Sequence, residues 1–368
     1  MNGNAKVKLG SVAQECRETW SGSQSGVPVV GLEHLVPCEI ELKEWDCDIE
    51  NTFSKKFRKG QVLLGRRRVY LKKAVVAPFD GICSGDITVI EATEGILPEL
   101  LPFIIQNERF FDYAMQGSAG SLSPRVKWDH LKDYEFSLPP LPEQKALADK
   151  LWAAYRLKES YKKLLAATDE MASAQFVEMF GNEKNGLIEL DSLAKEWLKG
   201  QSFKKDKLSD CGPNKCIHYG ELFTKYGPII DKVTSYTDDT IVKSSKCGDI
   251  LFPASDVTPD GLARCSALME DDVLLGGDII ALRPKSDILP EYLSWAINMQ
   301  KDQLLKRVTG SVVRHMSAKG LKTVTIPVAP VTKQKQFIAI VRQSDQSKAE
   351  LRKAIEAIDG VIKSLINN

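Results

Sequence analysis

The sequence predicts an α+β protein of two tandem globular domains, related by a pseudo-two-fold axis and separated by two long antiparallel helices. The box Ser137-Leu-Pro-Pro-Leu-Pro-Glu-Gln144 precedes one long helical pattern, and Pro327-Val-Ala-Pro-Val-Thr-Lys-Gln334 precedes another that runs to the end of the sequence. Gly120-Ser121 likewise recurs as Gly310-Ser311. Because these motifs recur in the same order, the chain contains one structural unit twice.

The spacing between matching motifs indicates how the two copies differ. Gln144 and Gln334 are 190 residues apart, whereas Gly85-Asp86 and Gly277-Asp278 are 192 apart. Toward the start of each copy the offset falls, because Val7-Lys-Leu9 matches Ile188-Glu-Leu190 at 181. Small loop insertions within a shared scaffold explain this drift. Side chains between the motifs differ widely, so we expect a common framework with different loops.

The two helical patterns predict a coiled-coil spacer. Residues 143–180 contain no glycine or proline, which corresponds to roughly 57 Å of helix. Apolar residues form a heptad-like stripe in both patterns, and Lys158 and Lys348 interrupt it at equivalent positions. The alternative is that each helix packs onto its own domain. Its length argues against this, since a domain of about 140 residues is only roughly 30 to 40 Å across.

The division that follows has four segments. They are a first globular domain at 1–142, a first long helix at 143–182, a second globular domain at 183–331 and a second long helix at 332–368. Apolar runs predict strands at 61–64, 86–90, 249–252 and 278–282. Residues 97–115 and 289–308 each predict one helix that begins at a proline.

Composition places the chain among ordinary globular proteins. It has 368 residues, of which 43% are hydrophobic and 27% charged. No apolar run follows the polar N-terminal segment, and no segment is apolar enough to span a membrane, so we expect a cytoplasmic protein without membrane contact. The eight cysteines form no Cys-x-x-Cys pair. Reduced thiols and no metal site are therefore expected.

Charge distribution is more informative than the net charge of +1. The segment between Asn51 and Phe79 contains no acidic residue, so its cations predict a strong local positive field. A solvated basic loop without a partner is the alternative. The DNA-binding candidates of the first domain are Lys55, Lys56, Arg58, Lys59, Arg66, Arg67, Arg68, Lys72, Lys73 and Arg125.

The second domain offers fewer basic candidates. Its Gly310-Ser-Val-Val-Arg-His315 box corresponds to the Gly-Ser-rich segment at 117–125, and glycine beside a basic side chain suits close approach to a phosphate. The DNA-binding candidates here are Lys204, Lys205, Lys207, Arg264, Arg314 and His315.

Motifs for catalysis are missing from the sequence. Leu138-Pro-Pro-Leu141 lacks the polar and aromatic residues of an adenine methyltransferase box, and no phosphate-binding loop for a nucleoside triphosphate occurs. The four histidines form no recognisable nucleophile arrangement. We therefore expect no catalytic residues and no enzymatic activity in this chain.

These motifs together resemble the specificity subunit of type I restriction-modification enzymes. The Leu-Pro-Pro-Leu-Pro-Glu-Gln box, the Gly-Asp-Ile-Leu strand at Gly248 to Leu251, the Gly-Ser-Val-Val-Arg-His box and their duplication carry the resemblance over nearly the whole chain. The first copy departs from the pattern, with Gln61-Val-Leu-Leu64 in place of Gly-Asp-Ile-Leu. The second box is degenerate, with Thr332-Lys333-Gln334 where Pro-Glu-Gln is usual.

The resemblance implies a function and a set of partners. Two target-recognition domains would each read one half of a split double-stranded DNA sequence, and two methyltransferase (modification) subunits would dock around the helices. S-adenosylmethionine, ATP and Mg would be bound by these and by restriction/translocase subunits, so this chain itself would bind no cofactor. Since the two loop sets differ, an asymmetric target is expected.

Two other hypotheses stay open at this point. The chain could be a scaffold that binds only proteins, which its near-zero net charge favours. It could also be the recognition subunit of a related system in which one partner both methylates and cuts DNA. The target sequence and the gap between its halves cannot be deduced from the residues.

Overall fold

The computed structural model describes residues 5–120, 123–181, 186–201, 205–239 and 245–367. The chain forms two compact units. Unit 1 comprises Met1–Lys163 and Leu351–Asn368, and unit 2 comprises Leu164–Glu350. Each unit therefore contains globular structure and a part of each long helix. The division into four consecutive segments stays a prediction.

The first half of the chain contains strands β1 to β9 and helices α1 to α4. The strands are Ala5–Lys8, Ala13–Cys16, Val29–Val30, Lys55–Phe57, Val62–Gly65, Ala74–Val76, Gly81–Cys83, Ile87–Ala92 and Glu135–Leu138. The helices are Leu101–Ile105, Glu108–Gln116, Trp128–Leu131 and Leu141–Phe180. In unit 1, one sheet has the order β2-β8-β5-β6, a second has the order β3-β7-β4, and β1 pairs with β9.

The second half contains strands β10 to β21 and helices α5 to α11. The strands are Leu187–Glu189, Ala194–Lys199, Asn214–Ile217, Ile229–Ile230, Tyr236–Thr237, Ile250–Pro253, Ser255–Asp256, Ser266–Leu268, Leu274–Leu275, Ile279–Pro284, Arg314–His315 and Thr325–Pro327. The helices are Leu190–Leu193, Glu221–Thr224, Pro259–Leu262, Pro290–Asn298, Lys301–Leu305, Ala318–Lys322 and Val331–Asn367. In unit 2, the main sheet has the order β11-β19-β15-β17-β13, the second is β14-β12-β18, and the pairs β10-β21 and β16-β20 complete the set.

The predicted α+β fold class is confirmed, and so are the four predicted strands. Strands β5, β8, β15 and β19 form the middle of the main sheets, within one residue of their expected starts. They are rich in valine, isoleucine and leucine because both faces of each strand are buried. The described helices include no stretch with the length and apolarity that a membrane span requires.

Strand registers show that the two copies share one backbone plan. Val7 pairs with Phe136 in unit 1, and Ile188 pairs with Ile326 in unit 2. Val7 and Ile188 are 181 residues apart and Phe136 and Ile326 are 190 apart, which are the offsets that the motifs predicted. The parallel pairing of β3 with β7 recurs in the same way as that of β12 with β18.

The register corrects one motif assignment. Val62 pairs with Ile90 and Ile250 pairs with Leu282, so Gln61 corresponds to Asp249 and not to a glycine. The Gln61 Oε1 atom accepts a hydrogen bond from the amide of Arg58 at 2.7 Å, as the Asp249 carboxylate does from Lys246 at 2.8 Å. The first copy therefore keeps the glycine of the box one residue earlier than expected, at Gly60.

The single helices predicted at 97–115 and 289–308 are wrong, because each segment forms two short helices. In unit 1 the first ends at Ile105, and Asn107 caps the second by accepting a hydrogen bond from the amide of Arg109 at 3.0 Å. In unit 2 the break lies between α8 and α9. In unit 1, a capping side chain thus interrupts a helix that periodicity alone would continue, whereas no side chain caps the start of α9 in unit 2.

The two long helices are present, and each packs in both units. In unit 1, Ile362 and Leu365 of α11 pack against the core, and Lys158 of α4 binds Asp359 of α11 at 2.6 Å. In unit 2, Phe176 and Phe180 of α4 are buried. Within each unit α4 and α11 run in opposite directions. The alternative that each helix packs only on its own domain is therefore wrong.

The glutamine of each repeated box has the same task. Gln144 and Gln334 are almost fully buried, and the Oε1 atom of each accepts a hydrogen bond from a backbone amide, that of Leu97 or Leu289, at 2.9 Å. The Nε2 atom of Gln144 donates to Pro139 O at 3.0 Å, and that of Gln334 donates to Ala329 O at 2.7 Å. The box thus joins the start of each long helix to the globular part of its unit.

Candidate nucleic-acid interface

In each unit, the loop after the middle strand of the main sheet pairs with a second, tightly turned loop. The backbone of Arg67 forms a β-bridge with that of Arg125 in unit 1, and Ser255 pairs with His315 in the β16-β20 ladder of unit 2. We call residues 66–69 with 119–125, and residues 254–258 with 309–315, the loop pairs. Residues 121 and 122, including the serine of the Gly120-Ser121 motif, lie outside the described residues.

Backbone hydrogen bonds build both loop pairs in the same way. The amide of Val126 donates to Arg66 O at 3.0 Å, and that of Met316 donates to Ala254 O at 3.0 Å. The second loop is closed in unit 2 by reciprocal bonds between Thr309 and His315 at 3.0 and 2.8 Å. Ala119 and Arg125 close the loop of unit 1 with bonds of 3.1 and 2.9 Å.

Glycine makes the turn of each second loop possible. Gly120 has a φ of 119° and Gly310 a φ of 97°, in the region that side chains disfavour. A Cβ atom at Gly310 would also lie 2.3 Å from the carbonyl oxygen of Val313. The glycine of the repeated Gly-Ser motif is therefore a structural requirement of the turn.

Two arginines converge on one carboxylate in the loop pair of unit 1. Arg125 donates to Asp86 through Nε at 2.7 Å and through its terminal nitrogen at 3.3 Å, and Arg67 approaches the same carboxylate at 3.4 Å. Arg67 also donates to Ser123 Oγ at 2.9 Å. The hydrogen bond from Arg125 is the main cause that lowers the pKa of Asp86, so this group is ionised at neutral pH. Asp86 holds both guanidinium groups beside the exposed loops.

The remaining cations of the basic segment are partly neutralised by residues distant in sequence. Arg58 and Lys56 lie 2.9 and 3.5 Å from the Glu18 carboxylate. The strong positive field expected from this segment is therefore weaker than its composition indicates, because the segment's own lack of acidic residues says nothing about its neighbours in space.

Three lysines of the same segment are held at their ammonium groups. Lys55 donates to Ile87 O and Lys73 donates to Leu32 O, both at 2.7 Å. Lys72 lies 4.0 Å from a Glu108 oxygen. Such lysines are less available to a phosphate than their sequence position suggests, since a partner would have to replace these bonds.

Three basic residues keep their charge unneutralised. Lys59, Arg66 and Arg68 pair with no carboxylate among the described residues; Lys59 and Arg68 are exposed, and the Nε atom of Arg66 is buried without a hydrogen-bond partner. Arg66 lines an open cleft of about 740 Å³ together with Lys127 and Trp128. Arg68 thus supplies available positive charge at the loop pair, whereas the cleft that Arg66 lines also contains the carboxylates of Glu15, Glu18 and Asp129.

The candidates of unit 2 are more scattered. Only Arg314 and His315 lie in the loop pair, where Ser255 Oγ and His315 Nδ1 are 3.1 Å apart. Arg264 donates to Phe223 O at 3.4 Å, and Lys207 pairs with Asp239. Lys204 and the side chain of Lys205 lie outside the described residues.

The two loop pairs place different chemistry on one framework. Asp86 corresponds to Asp278, which is exposed and has no side-chain partner in the described part of the chain. Sequence reasoning used Asp86 only as an alignment marker, although its recurrence as Asp278 was the available signal. It also missed Val257, Val312 and Val313, which are exposed at the loop pair of unit 2.

Comparison with known proteins adds a likeness of sequence and of fold. No model of a known protein family matches the chain. The specificity subunit of the type I restriction enzyme EcoDI of Escherichia coli is 24% identical over 146 residues, which is 40% of this chain and 29% of that protein.

Two solved structures share the fold over the whole chain. One belongs to a structure of complex assembly and conformational transition in the type I R-M system, with 18% identity, a TM-score of 0.60 and coverage of 100% of this chain and 97% of that one. The other is the S subunit of the type I restriction-modification system of M. genitalium, with 14% identity, a TM-score of 0.60 and the same coverage. The resemblance that the motifs predicted is confirmed.

Proposed function

We propose that this chain is the DNA sequence-recognition subunit of a type I restriction-modification enzyme, in which each unit reads one half of an asymmetric, bipartite duplex target. The loop pair carries the proposal, because one backbone pattern is built twice and holds different side chains each time. A duplicated framework with different exposed loops suits the recognition of two unlike sequences. A scaffold that binds only proteins gives no reason for two arginines to converge beside exposed loops.

The arginines of unit 1 supply the chemistry of recognition. Arg67 and Arg125 have planar guanidinium groups, and the donors that Asp86 and Ser123 leave unoccupied match the O6 and N7 atoms of guanine in the major groove. Each such contact is worth about 1 to 3 kcal/mol. Exposed Lys59 and Arg68 suit phosphate contacts, which raise affinity without selecting a sequence. The basic residues of unit 1 thus divide into those that would contact bases and those that would contact phosphates.

The long helices are the proposed docking sites for two methyltransferase subunits. In unit 2, α4 exposes Leu164 and Met171, which are seven residues apart on the same face of the helix. In unit 1, α11 exposes Val361, the counterpart of Met171. Neighbouring exposed apolar side chains, such as Leu164 and Met171, are typical of protein interfaces. The exposure of Val361 at the position equivalent to Met171 supports a second partner at the other helix.

Catalysis is assigned to those partners. We infer that S-adenosylmethionine, ATP and Mg are bound by the methyltransferase and restriction/translocase subunits, and that this chain positions those subunits on DNA without binding a cofactor itself. The sequence supports this assignment, since it lacks the adenine methyltransferase box and the triphosphate loop.

Single-molecule sequencing of adenine methylation tests the proposal. Cells that express this chain with its cognate methyltransferase partner are compared with cells that express the partner alone. We expect a new methylated motif of two unlike halves around a fixed gap. A stable complex that produces no new motif, or only a palindromic one, would contradict the proposal and favour a protein scaffold.

A further inference from the structure

The loop pair of unit 2 exposes an apolar tip. Val312 is 80% exposed and Val257 is 71% exposed, the two highest values for large hydrophobic side chains in the described residues, and Val313 is 48% exposed. Single exposed apolar residues are common on protein surfaces. Three valines at one tip are different, because they cost hydration free energy together unless a partner covers them.

The backbone brings these valines to the same place. Asp256 pairs with Arg314 in the β16-β20 ladder, so the next residues, Val257 and Val313, leave the same end of the ladder. Val312 lies in the turn that the bonds between Thr309 and His315 close. The apolar tip therefore belongs to both loops of the loop pair.

The framework does not force this exposure. The counterpart of Val257 in unit 1 is Val69, which is only 1% exposed and packs in the core. The counterpart of Val313 is Ser123, whose hydroxyl accepts a hydrogen bond from Arg67. These two positions are thus compatible with buried or polar side chains. Leu122, the counterpart of Val312, lies outside the described residues.

Polar groups beside the tip indicate the chemistry of its partner. Arg314 follows Val313 and bonds the carbonyl of Gly310 at 3.2 Å, which places positive charge at the turn. The Asp256 carboxylate accepts bonds from the amide of Val257 and the hydroxyl of Thr258, both at 2.7 Å, and this fixes the first loop. A surface with apolar, cationic and acceptor groups side by side matches the floor of the major groove, where thymine presents a methyl group.

We infer that Val257, Val312 and Val313 read thymine methyl groups in the half-site bound by unit 2. This inference rests on the proposed function and goes beyond it, because it assigns a base and a type of contact to the second unit. The two units would then read DNA by different means, with arginine donors in unit 1 and apolar contacts in unit 2.

Uracil substitution tests the inference with the complex of the full chain and its methyltransferase partner. Duplexes carry the methylated motif of that complex, with thymine replaced by uracil at one position at a time, so that one methyl group is lost and base pairing is kept. We expect binding to weaken about threefold to tenfold at one or more positions of the second half-site. Uracil in the half-site read by unit 1 should have a smaller effect.

Serine variants connect the effect to the tip. Val257→Ser and Val312→Ser should each reduce the difference between thymine and uracil duplexes at the second half-site. Val331→Ser is the matched control, because Val331 is an exposed valine of the same unit at the start of α11 and should leave the difference unchanged.

The outcomes separate this inference from the proposed function. A bipartite motif whose second half-site contains no A·T pair, or binds thymine and uracil duplexes equally well, would overturn the inference and leave the proposed function intact. An equal loss of discrimination in the Val331→Ser control would also overturn it. Failure to obtain any sequence-specific binding would refute both.

Discussion

The two loop pairs share one backbone arrangement but carry different side chains. In unit 1, Arg67 and Arg125 meet at Asp86; in unit 2 the corresponding pair is Ser255 and His315. Equivalent backbone hydrogen bonds of 3.0 Å hold both arrangements. The fold therefore fixes where the loops meet, whereas a few side chains determine what the loops bind. A duplicated framework can therefore acquire two specificities independently.

The largest expected effect is loss of the arginine pair. The double variant Arg67→Ala with Arg125→Ala should weaken binding to the first half-site at least about 30-fold, because two donor groups worth about 1 to 3 kcal/mol each are removed. The second half-site should be read as before. Binding of the purified complex to duplexes with either half-site altered measures this.

The reciprocal variant is its control. Ser255→Ala with His315→Ala changes the corresponding positions of unit 2 and should affect only the other half-site. Equal losses at both half-sites in either variant would show that these positions act on the whole protein, and the proposed assignment of one half-site to each unit would be wrong.

The shared framework predicts similar costs for the two buried glutamines. Gln144→Ala and Gln334→Ala should each lower the free energy of unfolding by about 1 to 3 kcal/mol, since a buried amide loses its acceptor in both units. Hydrogen exchange of the amides of Leu97 and Leu289 reports each unit separately. Gln336→Ala, at an exposed position of α11, should change neither amide. Faster exchange at only one site would mean that the two boxes are not equivalent.

A third prediction concerns Asp86, whose counterpart Asp278 has no side-chain partner in the described part of unit 2. Asp86→Asn should weaken discrimination at the first half-site about tenfold, because the arginines lose the group that orients them, while Asp278→Asn should have no effect. The pKa of Asp86 is lowered in the folded state, so its stabilisation is present above its ordinary value of 3.8 and is lost as the pH falls through the lowered pKa.

Unfolding followed over a pH series measures this difference. The wild-type chain should be more stable than Asp86→Asn at pH 7, and the two should converge below the lowered pKa of Asp86. A constant difference at all pH values would show that the asparagine variant fails for a reason other than lost charge.

The sequence predicted the parts of the fold that depend on local pattern. Uninterrupted helical composition predicted α4, the repeated box and its apolar stripe predicted α11, and apolar runs predicted β5 and β15, because each of these signals is local in the sequence. It could not show that Glu18 neutralises Arg58, or that Asp86 joins Arg67 to Arg125, since these contacts link residues far apart in the chain. For the site, the sequence indicated the basic residues but not the carboxylates that bind them.

The smallest effect is expected where the copies agree most closely. Lys158 binds Asp359 in unit 1 at 2.6 Å, and their counterparts Lys348 and Asp169 bind in unit 2 at 2.9 Å, so each long helix provides the lysine once and the aspartate once. Both lysines are about nine-tenths buried, whereas the aspartates are about half exposed. Removing Lys158 therefore leaves one carboxylate that water can hydrate, and removing Lys348 leaves two, because Asp345 also binds Lys348 at 2.7 Å.

Methionine is the informative replacement at these two positions. Lys158→Met and Lys348→Met should each change the free energy of unfolding by less than about 1 kcal/mol, because an apolar side chain of similar length fills the seam as the ion pair is lost. Urea unfolding at low and high salt measures this, and the wild-type chain should lose more stability to salt than either variant. A loss of several kcal/mol in one variant alone would mean that the two lysines differ in role, and the equivalence of the helices would then hold for geometry but not for energy.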